Sequence, residues 1–536
     1  MTLSRIAPAA LRAALEDGQE LAVLDAREEG EFGASHLFWA VPCPLSQRET
    51  RVRALLPSRA ARIVCVDDGR GVAEKLAEFL IADGYANVAV LEGGTQAWAA
   101  AGFVLFSGVN VPSKAFGEWV EHQYGTESVD ASVLKSWIDA GRDMVVLDSR
   151  TEEEFRRMSI PTGISVPGGE LAYRIGDLAP DPATLVVVNC AGRTRSIMGA
   201  ESLRRAGIPN KVVALRNGTM GWELAGLRCE RGRTERFAPG TPASLALARS
   251  RAAHFAKAAG VRMIDAAQVA AFIADSSRTV YLLDVRDPLE FRAGHHPLAR
   301  NAPGGQLVQA TDQWVAVRGA RIVLVDDTGV RAGMAASWLR QMGHRDVFVA
   351  PGVTDGPGTA PTVPELQGEV AMIGVPALTH LLDSGTDTVI VDLARSVAYR
   401  DGHIPGAVWG VRTRLDRLAP ALATAAEVVI TSPDDIAARL AVAEIAALTR
   451  APVRVLEGGT AAWHSFGRPL ARDRTNPPDE ACIDFYLRPY DRNSGIEEAM
   501  HAYLSWEIDL VHEILRDGTV HFGPAIADPA LAGAAH

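Results

Sequence analysis

Cysteine is scarce in this sequence, and long apolar runs are absent. Five cysteines are scattered through 536 residues without regular spacing, which excludes a disulfide framework and gives no paired metal ligands. No run of 18 or more apolar residues occurs, so we expect no membrane-spanning segment. The N-terminus carries Arg5 and Arg12 and lacks the apolar core of a secretory signal. These features predict a soluble, cytoplasmic protein with no metal site.

Positive charge is also in short supply. The 54 lysines and arginines are outnumbered by 65 acidic residues, which gives a formal net charge of −11. Because a nucleic-acid-binding protein needs a basic face for the phosphates, this balance argues against nucleic acid as a partner. The hydrophobic fraction of 48% and the charged fraction of 22% are typical of globular proteins. At roughly 150 residues per domain, the length predicts three to four domains.

One sequence pattern recurs four times. Each copy begins with an apolar strand that ends in aspartate, and continues through an aromatic residue and a turn into a second apolar strand. In the first three copies the ends of these strands are 42 positions apart, and in the fourth they are 40 apart. A helical stretch, a third strand and usually a Gly-(x3)-Trp element follow. The first strands end at Asp25, Asp148, Asp284 and Asp392.

This alternation of strands and helices indicates β-α-β units, which form parallel sheets. We predict an α/β fold of four tandem domains, each a mostly parallel sheet with helices on both faces, plus a short helical C-terminal extension. Segments rich in Gly, Pro or Ser are expected to be linkers, at 108–126, 232–254 and 354–367. The predicted units are 1–110, 125–235, 255–360, 365–475 and 476–536.

The extension after Asn476 lacks the repeat pattern. Its sequence IEEAMHAYLSWEIDLVHEIL has apolar residues at helical spacing, which predicts one or two helices that pack on a repeat or a partner. No catalytic constellation is evident there. We interpret Tyr486, Tyr490 and Trp506 as packing residues.

A thiol follows the second strand in only one copy. Cys190 stands there in the second copy, whereas the other copies have Asp67, Asp326 and Ser432. The C-terminal end of a parallel strand, before a helix, is where open α/β sheets bind ligands, and the backbone N–H groups there favour anions. We expect the helix dipole and the nearby arginines to depress the pKa of the thiol, which would make it a nucleophile beside an anion site. The loop after the cysteine consists of Ala191, Gly192, Arg193, Thr194, Arg195 and Ser196.

Three elements of the second copy resemble a rhodanese domain. They are Asp-x-Arg-(x3)-Glu-Phe at 148–155, the CAGRTRS loop at 190–196 and Gly-(x3)-Trp at 218–222. The whole repeat resembles a tandem of four such domains. The resemblance implies a sulfurtransferase that moves sulfane sulfur from thiosulfate or a low-molecular-weight persulfide to cyanide or a thiol.

The resemblance also assigns roles to residues. Cys190 would carry the sulfur as a persulfide, residues 191–196 would bind the anionic donor, and Arg193 and Arg195 would be its main contacts. No cofactor is implied. The resemblance is weaker in the fourth copy, where Ala394 replaces the arginine of the first element.

Asp148, Arg150 and Glu154 recur in copies that lack the thiol. We therefore interpret them as a buried charge network that supports the loop rather than as reacting groups. The thiol-less copies are expected to be inactive and to serve architecture or partner contacts. In the first and third, a pair of aspartates would repel an anionic donor.

Two other functions remain open at this point. Cys-based phosphatases have five residues between cysteine and arginine, whereas four separate Cys190 from Arg195, so a sulfur substrate is favoured. A sulfane-sulfur sensor or scaffold without turnover would account for three copies without a thiol. A protein sulfur acceptor and a homo-oligomer also remain open as partners.

Overall fold

The computed structural model describes residues 3–354, 356 and 369–523. Each of the four copies forms one sheet, and within each copy all strand pairs are parallel, as the sequence predicts. The predicted linker at 354–367 lies almost entirely outside the described residues. In the part of the chain that is described, no helix has both the length and the apolar character that crossing a membrane requires.

The first copy contains five strands and five helices. The strands are β1 (Ser4–Ile6), β2 (Leu21–Asp25), β3 (Ala40–Pro42), β4 (Arg62–Val66) and β5 (Asn87–Leu91). The helices are α1 (Pro8–Glu16), α2 (Glu29–Ala34), α3 (Arg48–Leu55), α4 (Val72–Ala82) and α5 (Gly94–Ala100).

The second copy is preceded by helix α6 (Val111–Tyr124). Its strands are β6 (Ser128–Val129), β7 (Met144–Asp148), β8 (Ile164–Ser165), β9 (Leu185–Asn189) and β10 (Val212–Leu215). Its helices are α7 (Ala131–Asp139), α8 (Glu152–Arg157), α9 (Leu171–Leu178), α10 (Thr194–Arg205) and α11 (Gly218–Leu224).

The third copy is preceded by helix α12 (Pro242–Ala258). Its strands are β11 (Arg262–Met263), β12 (Val280–Asp284), β13 (Arg300–Asn301), β14 (Val317–Arg318), β15 (Arg321–Val325) and β16 (Val347–Val349). Its helices are α13 (Ala266–Ala274), α14 (Pro288–Ala293), α15 (Gly304–Gln309) and α16 (Val330–Gln341). Strand β14 is not part of the sheet of the third copy; it pairs antiparallel with β2 of the first copy.

The fourth copy is followed by the C-terminal extension, whose long helix is α23 (Ile496–Asp517). The strands are β17 (Met372–Ile373), β18 (Thr388–Asp392), β19 (Val408–Trp409), β20 (Glu427–Thr431) and β21 (Val453–Leu456). The helices are α17 (Val375–Asp383), α18 (Ser396–Asp401), α19 (Ala419–Leu422), α20 (Ile436–Leu440), α21 (Val442–Ala446) and α22 (Gly459–Ser465). Short 3-10 helices occur at Leu45–Gln47, Thr311–Gln313, Arg412–Leu418, Asp479–Ala481 and Pro489–Asp491.

The strands of each copy follow the same order in all four sheets, and the first sheet gains β14 beside β2. The second copy has the order β6-β10-β9-β7-β8, so β9 lies at the centre, and β4, β15 and β20 hold the same position elsewhere. Both faces of β9 are covered, because Val186 and Val188 belong to one hydrophobic cluster and Leu185 and Val187 to another. This double burial explains the continuous apolar run of the strand. The position of Cys190 therefore follows a central, buried strand.

Two of the predicted linkers are largely helical. The segment 108–126 contains α6, which packs between α10 and α23, and the segment 232–254 runs into α12, which packs between α9 and α16. The linker interpretation is wrong there because the residues that suggested it are helix-terminal signals. Pro112 and Pro242 lie in the first turns of the two helices, and Gly125 ends α6 with φ +60°.

The second and third copies pack closely through glycines. A Cβ on Gly305 would lie 2.7 Å from the backbone nitrogen of Gly169, so larger residues would separate the copies. The indole of Trp338 donates a hydrogen bond to Ser202 across the same interface (2.8 Å). This contact brings α15 of the third copy beside the loop of Cys190.

Candidate active site

The loop after β9 is closed by backbone contacts with α11. Thr219 N donates to Cys190 O (2.8 Å) and Met220 N donates to Ala191 O (3.0 Å). Gly218 starts α11 with φ +55°, and a Cβ there would lie 2.2 Å from Cys190 O. Glycine at this position is therefore required by both the backbone conformation and the close approach of the loop.

The sulfur of Cys190 is buried, with the residue 2% exposed. Its Sγ lies 3.4 Å from the hydroxyl of Ser196, which donates to Arg193 O (2.8 Å). Burial raises the pKa of the Cys190 thiol, although the charge of Arg195 and hydrogen bonds with Ser196 act in the opposite direction. The expected depression of this pKa is therefore wrong, because the loss of solvent outweighs the positive charges.

Arg193 is paired with two carboxylates of α6. Its guanidinium donates to both carboxylate oxygens of Glu118 on α6 (2.8 and 2.7 Å) and also contacts Glu121. Burial lowers the pKa of Arg193, but these two carboxylates more than compensate and raise it. The side chain therefore joins the loop to α6, and its expected contact with an anionic donor stays a prediction.

Arg195 is paired with Glu154 in a two-pronged contact (2.6 and 2.8 Å). Burial alone would raise the pKa of Glu154, but the charge of Arg195 prevails and lowers it well below its usual range. The carboxylate also caps α8 by accepting from Thr151 N (3.2 Å). Arg195 thus keeps its charge beside the sulfur while its orientation is fixed by Glu154.

Asp148 and Arg150 form a buried ion pair next to the loop. Arg150 donates to both oxygens of Asp148 (2.9 and 2.7 Å) and to Met158 O (2.5 Å). Asn189, the residue before Cys190, donates to Asp148 (2.8 Å). The corresponding pairs exist in the first and third copies, as Arg27 with Asp25 and Arg286 with Asp284.

In the thiol-less loops, the side chain that replaces cysteine occupies the loop itself. The Asp67 carboxylate accepts from the backbone N–H groups of Gly69, Val72 and Ala73 (2.8, 2.7 and 3.2 Å). Asp326 accepts from Gly329, Arg331 and Ala332 (2.5, 3.0 and 3.3 Å). Ser432 Oγ accepts from Ala438 N (3.2 Å). In the first and third copies, the aspartate carboxylate therefore occupies the N–H donors that a bound anion would need. Its negative charge would also repel such an anion.

A cavity of about 120 Å³ adjoins the loop of Cys190. Ala191 and Arg195 contribute to its wall, together with side chains from α6, from the third copy and from the extension. The residues contributed by α6 and the two positions before it, by the third copy and by the extension are Val109, Asn110, Lys114, Gln306, Gln309, Tyr486, Arg488, Tyr490, Asp491 and Tyr503. The wall is therefore assembled from the second copy, the α6 segment that precedes it, the third copy and the extension.

The sequence pattern did not predict that the C-terminal extension contributes to the cavity wall. Trp506 is a packing residue as expected, because a Cβ on Gly108 would lie 2.2 Å from its ring. The interpretation of Tyr486 and Tyr490 as packing residues is incomplete, since both also line the cavity. A signal was present in α23, where Glu507 interrupts the apolar buried stripe formed by Met500, Leu504, Leu510 and Ile514.

Helix α23 covers the loop through a buried polar cluster. Lys114 Nζ donates to Glu507 Oε1 (2.8 Å) and contacts the hydroxyl of Tyr503, which itself donates to Glu507 (3.1 Å). Thr194, the first residue of α10, donates to the same carboxylate oxygen (3.4 Å). The other oxygen, Oε2, is buried and has no hydrogen-bond partner among the described residues. Within those residues, no group of His, Cys, Asp and Glu side chains could hold a metal ion.

Comparison with known proteins relates this site to a family. The family model described as a rhodanese-like domain matches residues 7–101, 130–225, 265–353 and 376–466. The crystal structure of a thiosulfate sulfurtransferase from Pseudomonas aeruginosa is 45% identical to this chain, covers 97% of it and 99% of its own length, and superimposes with a TM-score of 0.91. No curated protein matches the sequence significantly.

Smaller solved structures match single portions of the chain. The rhodanese-like domain of an Anabaena protein is 25% identical and covers 21% of this chain and 88% of its own, with a TM-score of 0.18. A Bacillus halodurans protein is 22% identical and covers 20% of this chain and 78% of its own, with a TM-score of 0.19.

Proposed function

We propose that this chain, which belongs to the rhodanese family and is a sulfurtransferase, carries the transferred sulfur on Cys190 as a persulfide. The observation that supports this most directly is the contrast among the four loops. Only the loop of the second copy has a thiol after its central strand, whereas aspartate or serine accepts the loop N–H groups in the other three. We therefore assign catalysis to the second copy and a structural role to the other three.

In the first step, thiosulfate is the proposed donor, as it is for the Pseudomonas aeruginosa enzyme by its name. The Cys190 thiol loses its proton to solvent, and the thiolate attacks the outer sulfur of the donor. A new S–S bond forms to Sγ while the bond to the sulfonate sulfur breaks, and sulfite departs with the electron pair. Arg195, which lines the cavity and is held by Glu154, stabilises the charge of donor and leaving group.

In the second step, a thiophilic acceptor attacks the outer sulfur of the Cys190 persulfide. Cyanide would leave as thiocyanate and a thiol would leave as a persulfide, and in both cases the Cys190 thiolate is regenerated. This two-step scheme predicts ping-pong kinetics. Because the extension and α6 line the cavity, we propose small molecules rather than folded proteins as acceptors.

The thiol-less copies support this site in the proposal. The third copy supplies Gln306 and Gln309 to the cavity wall. The first copy holds the extension, since Gly30 N donates to Ile483 O (2.8 Å). The fourth copy also contacts the extension, since Ser396 N donates to the Asp484 carboxylate (2.7 Å). Loss of any of these copies would therefore disturb the cavity without removing a reacting group.

Intact-mass measurement after incubation with thiosulfate tests the proposal. We expect a gain of one sulfur atom per chain, release of one sulfite, and loss of the added mass when cyanide is supplied. Cys190→Ser should abolish the gain. Cys229→Ser is the matched control, because Cys229 is a partly exposed thiol of the same copy that lies outside the loop.

Two outcomes would contradict the proposal. Sulfur found on a cysteine other than Cys190 would move the site elsewhere. Loading of Cys190 without release to cyanide or thiols would indicate a sensor of sulfane sulfur instead of a transferase.

A further inference from the structure

We infer that Arg488 of the C-terminal extension recognises the negative charge of the sulfur donor, so that the extension, and not the loop alone, sets the preference for an anionic donor. This inference rests on the proposed function of Cys190. It concerns a residue outside all four repeats, where the sequence pattern gave no reason to expect a contact with substrate.

Among the described residues, five cationic side chains line the cavity beside the Cys190 loop, and four of them are already paired. An anion that approaches a paired guanidinium or ammonium group must compete with a carboxylate that is held in place by the fold. The four paired cations therefore contribute to the positive electrostatic potential in the cavity but offer few free N–H donors to an anion. The pairs are Lys114 with Glu507, Arg150 with Asp148, Arg157 with Asp491 and Arg195 with Glu154.

Arg488 is the fifth lining cation and differs from the others. Among the described residues, no carboxylate or carbonyl oxygen accepts a hydrogen bond from its guanidinium, and the residue is exposed although it contributes to the cavity wall. A guanidinium has five donors in a planar fork, which suits the sulfonate oxygens of thiosulfate. Arg488 can therefore bind the donor without breaking an existing ion pair.

The backbone around Arg488 is held in place on both sides. Arg157 pairs with Asp491 (2.9 Å), and the hydroxyl of Tyr490 donates to Thr219 on α11 (3.4 Å). On the other side, the ring of Tyr486 packs so closely on Gly33 that a Cβ there would lie 2.4 Å from it. The fold thus fixes the position of the residue and leaves its side chain free.

The charge of Arg488 also acts on groups inside the site. It lowers the pKa of Glu154, the carboxylate that orients Arg195, although Arg195 itself has the larger effect. It also opposes the strong rise that burial causes in the pKa of Tyr503. Both effects agree with a cation that faces the cavity from the side of the extension.

The chemical class of donor follows from this arrangement. Thiosulfate carries two negative charges and releases sulfite, which also carries two, so an unpaired cation in the cavity wall assists both binding and departure. A persulfide whose organic part bears an ammonium group has no net charge, so the positive charge of Arg488 adds little to its binding. Arg488 would therefore favour inorganic anionic donors over such persulfides.

Steady-state kinetics with two donors tests the inference. For Arg488→Ala we expect kcat/KM with thiosulfate to fall by about tenfold or more, mainly through KM, because one charge-assisted contact is lost. With cysteamine persulfide, which has no net charge, the change should be less than about threefold. Arg488→Lys should recover part of the thiosulfate activity, since it restores the charge without the planar fork.

Arg492→Ala is the matched control. Arg492 is an exposed arginine in the same segment but is not among the residues that line the cavity, so its loss removes the same net charge without removing the contact. It should leave thiosulfate kinetics almost unchanged.

The outcomes separate this inference from the proposed function. Equal effects of the two alanine variants, or equal losses with both donors, would overturn the role of Arg488 while wild-type protein still gains sulfur on Cys190. Absence of any sulfur gain in wild-type protein would instead refute the proposed function itself.

Discussion

The carboxylate of Glu507 lies directly over Gly192 in the loop of Cys190. Its Oε2 is 3.1 Å from the position that a Cβ on Gly192 would take, and Glu507 is buried. The negative charge of Glu507 adds to the effect of burial and raises the pKa of the Cys190 thiol. The C-terminal extension therefore influences the reacting sulfur through a charge as well as by covering it.

The pH dependence of sulfur loading should reflect this raised pKa. Because the thiolate is the nucleophile, and burial raises the thiol pKa above its ordinary value of 9.0, the loading rate should climb with pH through the neutral range and beyond pH 8. Single-turnover release of sulfite from thiosulfate at a series of pH values measures this. A rate that is already constant between pH 6 and pH 8 would contradict the prediction.

Glu507→Gln should move this pH profile toward lower pH. The substitution removes a negative charge near Cys190 and leaves the positive charge of Lys114 uncompensated, and both changes favour the thiolate. The measurement is the same single-turnover series. Glu498→Gln, an exposed position on the same helix, is the control and should leave the profile where it is. A profile that moves toward higher pH would exclude this electrostatic role.

The sequence was sufficient to predict the repeat, the parallel sheets and the position of Cys190. These features depend on short segments, such as an apolar strand followed by a glycine-containing loop and a helix, whose pattern is repeated along the chain. The position of Cys190 after a central strand follows from the order of the elements in each copy.

The cavity could not be predicted in the same way. It depends on contacts such as that between Lys114 and Glu507, which are 393 positions apart. The ion pair of Arg193 with Glu118 depends on α6, and the charge of Glu507 on α23 adds to the burial that raises the pKa of Cys190. The proline and glycine residues that suggested a linker at 108–126 concealed one of these helices.

Gly218→Ala should damage the site more than a comparable glycine substitution elsewhere in the same copy. At Gly218 a Cβ would lie 2.2 Å from Cys190 O and φ is +55°, so the change adds a steric clash to a backbone penalty. At Gly226 φ is +74° but no atom lies within 4 Å of the Cβ position. We expect Gly226→Ala to cost about 1 kcal/mol from the backbone alone and to leave sulfur loading intact. Gly218→Ala should lower the thermal midpoint more than Gly226→Ala does and should slow the loading of sulfur on Cys190. Equal thermal midpoints and loading rates for the two variants would argue against a tight contact between Gly218 and Cys190.

Asp67→Ala should weaken the first copy without changing the number of sulfur atoms that the chain can carry. The Asp67 carboxylate accepts three backbone N–H groups in its loop, and its removal leaves them without that partner, at a cost of about 1 to 3 kcal/mol. Differential scanning calorimetry should show the loss as a lower thermal midpoint.

The sulfur content after incubation with thiosulfate should stay at one atom per chain, because no nucleophile has been removed. Asp68→Ala provides the control, since Asp68 is partly exposed and pairs with Arg70 rather than with the loop backbone. If Asp67→Ala raised the thermal midpoint, the carboxylate would be a strained charge and not a substitute for a bound anion. If it abolished loading of Cys190 while the fold persisted, the first copy would take part in the chemistry and the assignment of catalysis to the second copy alone would fail.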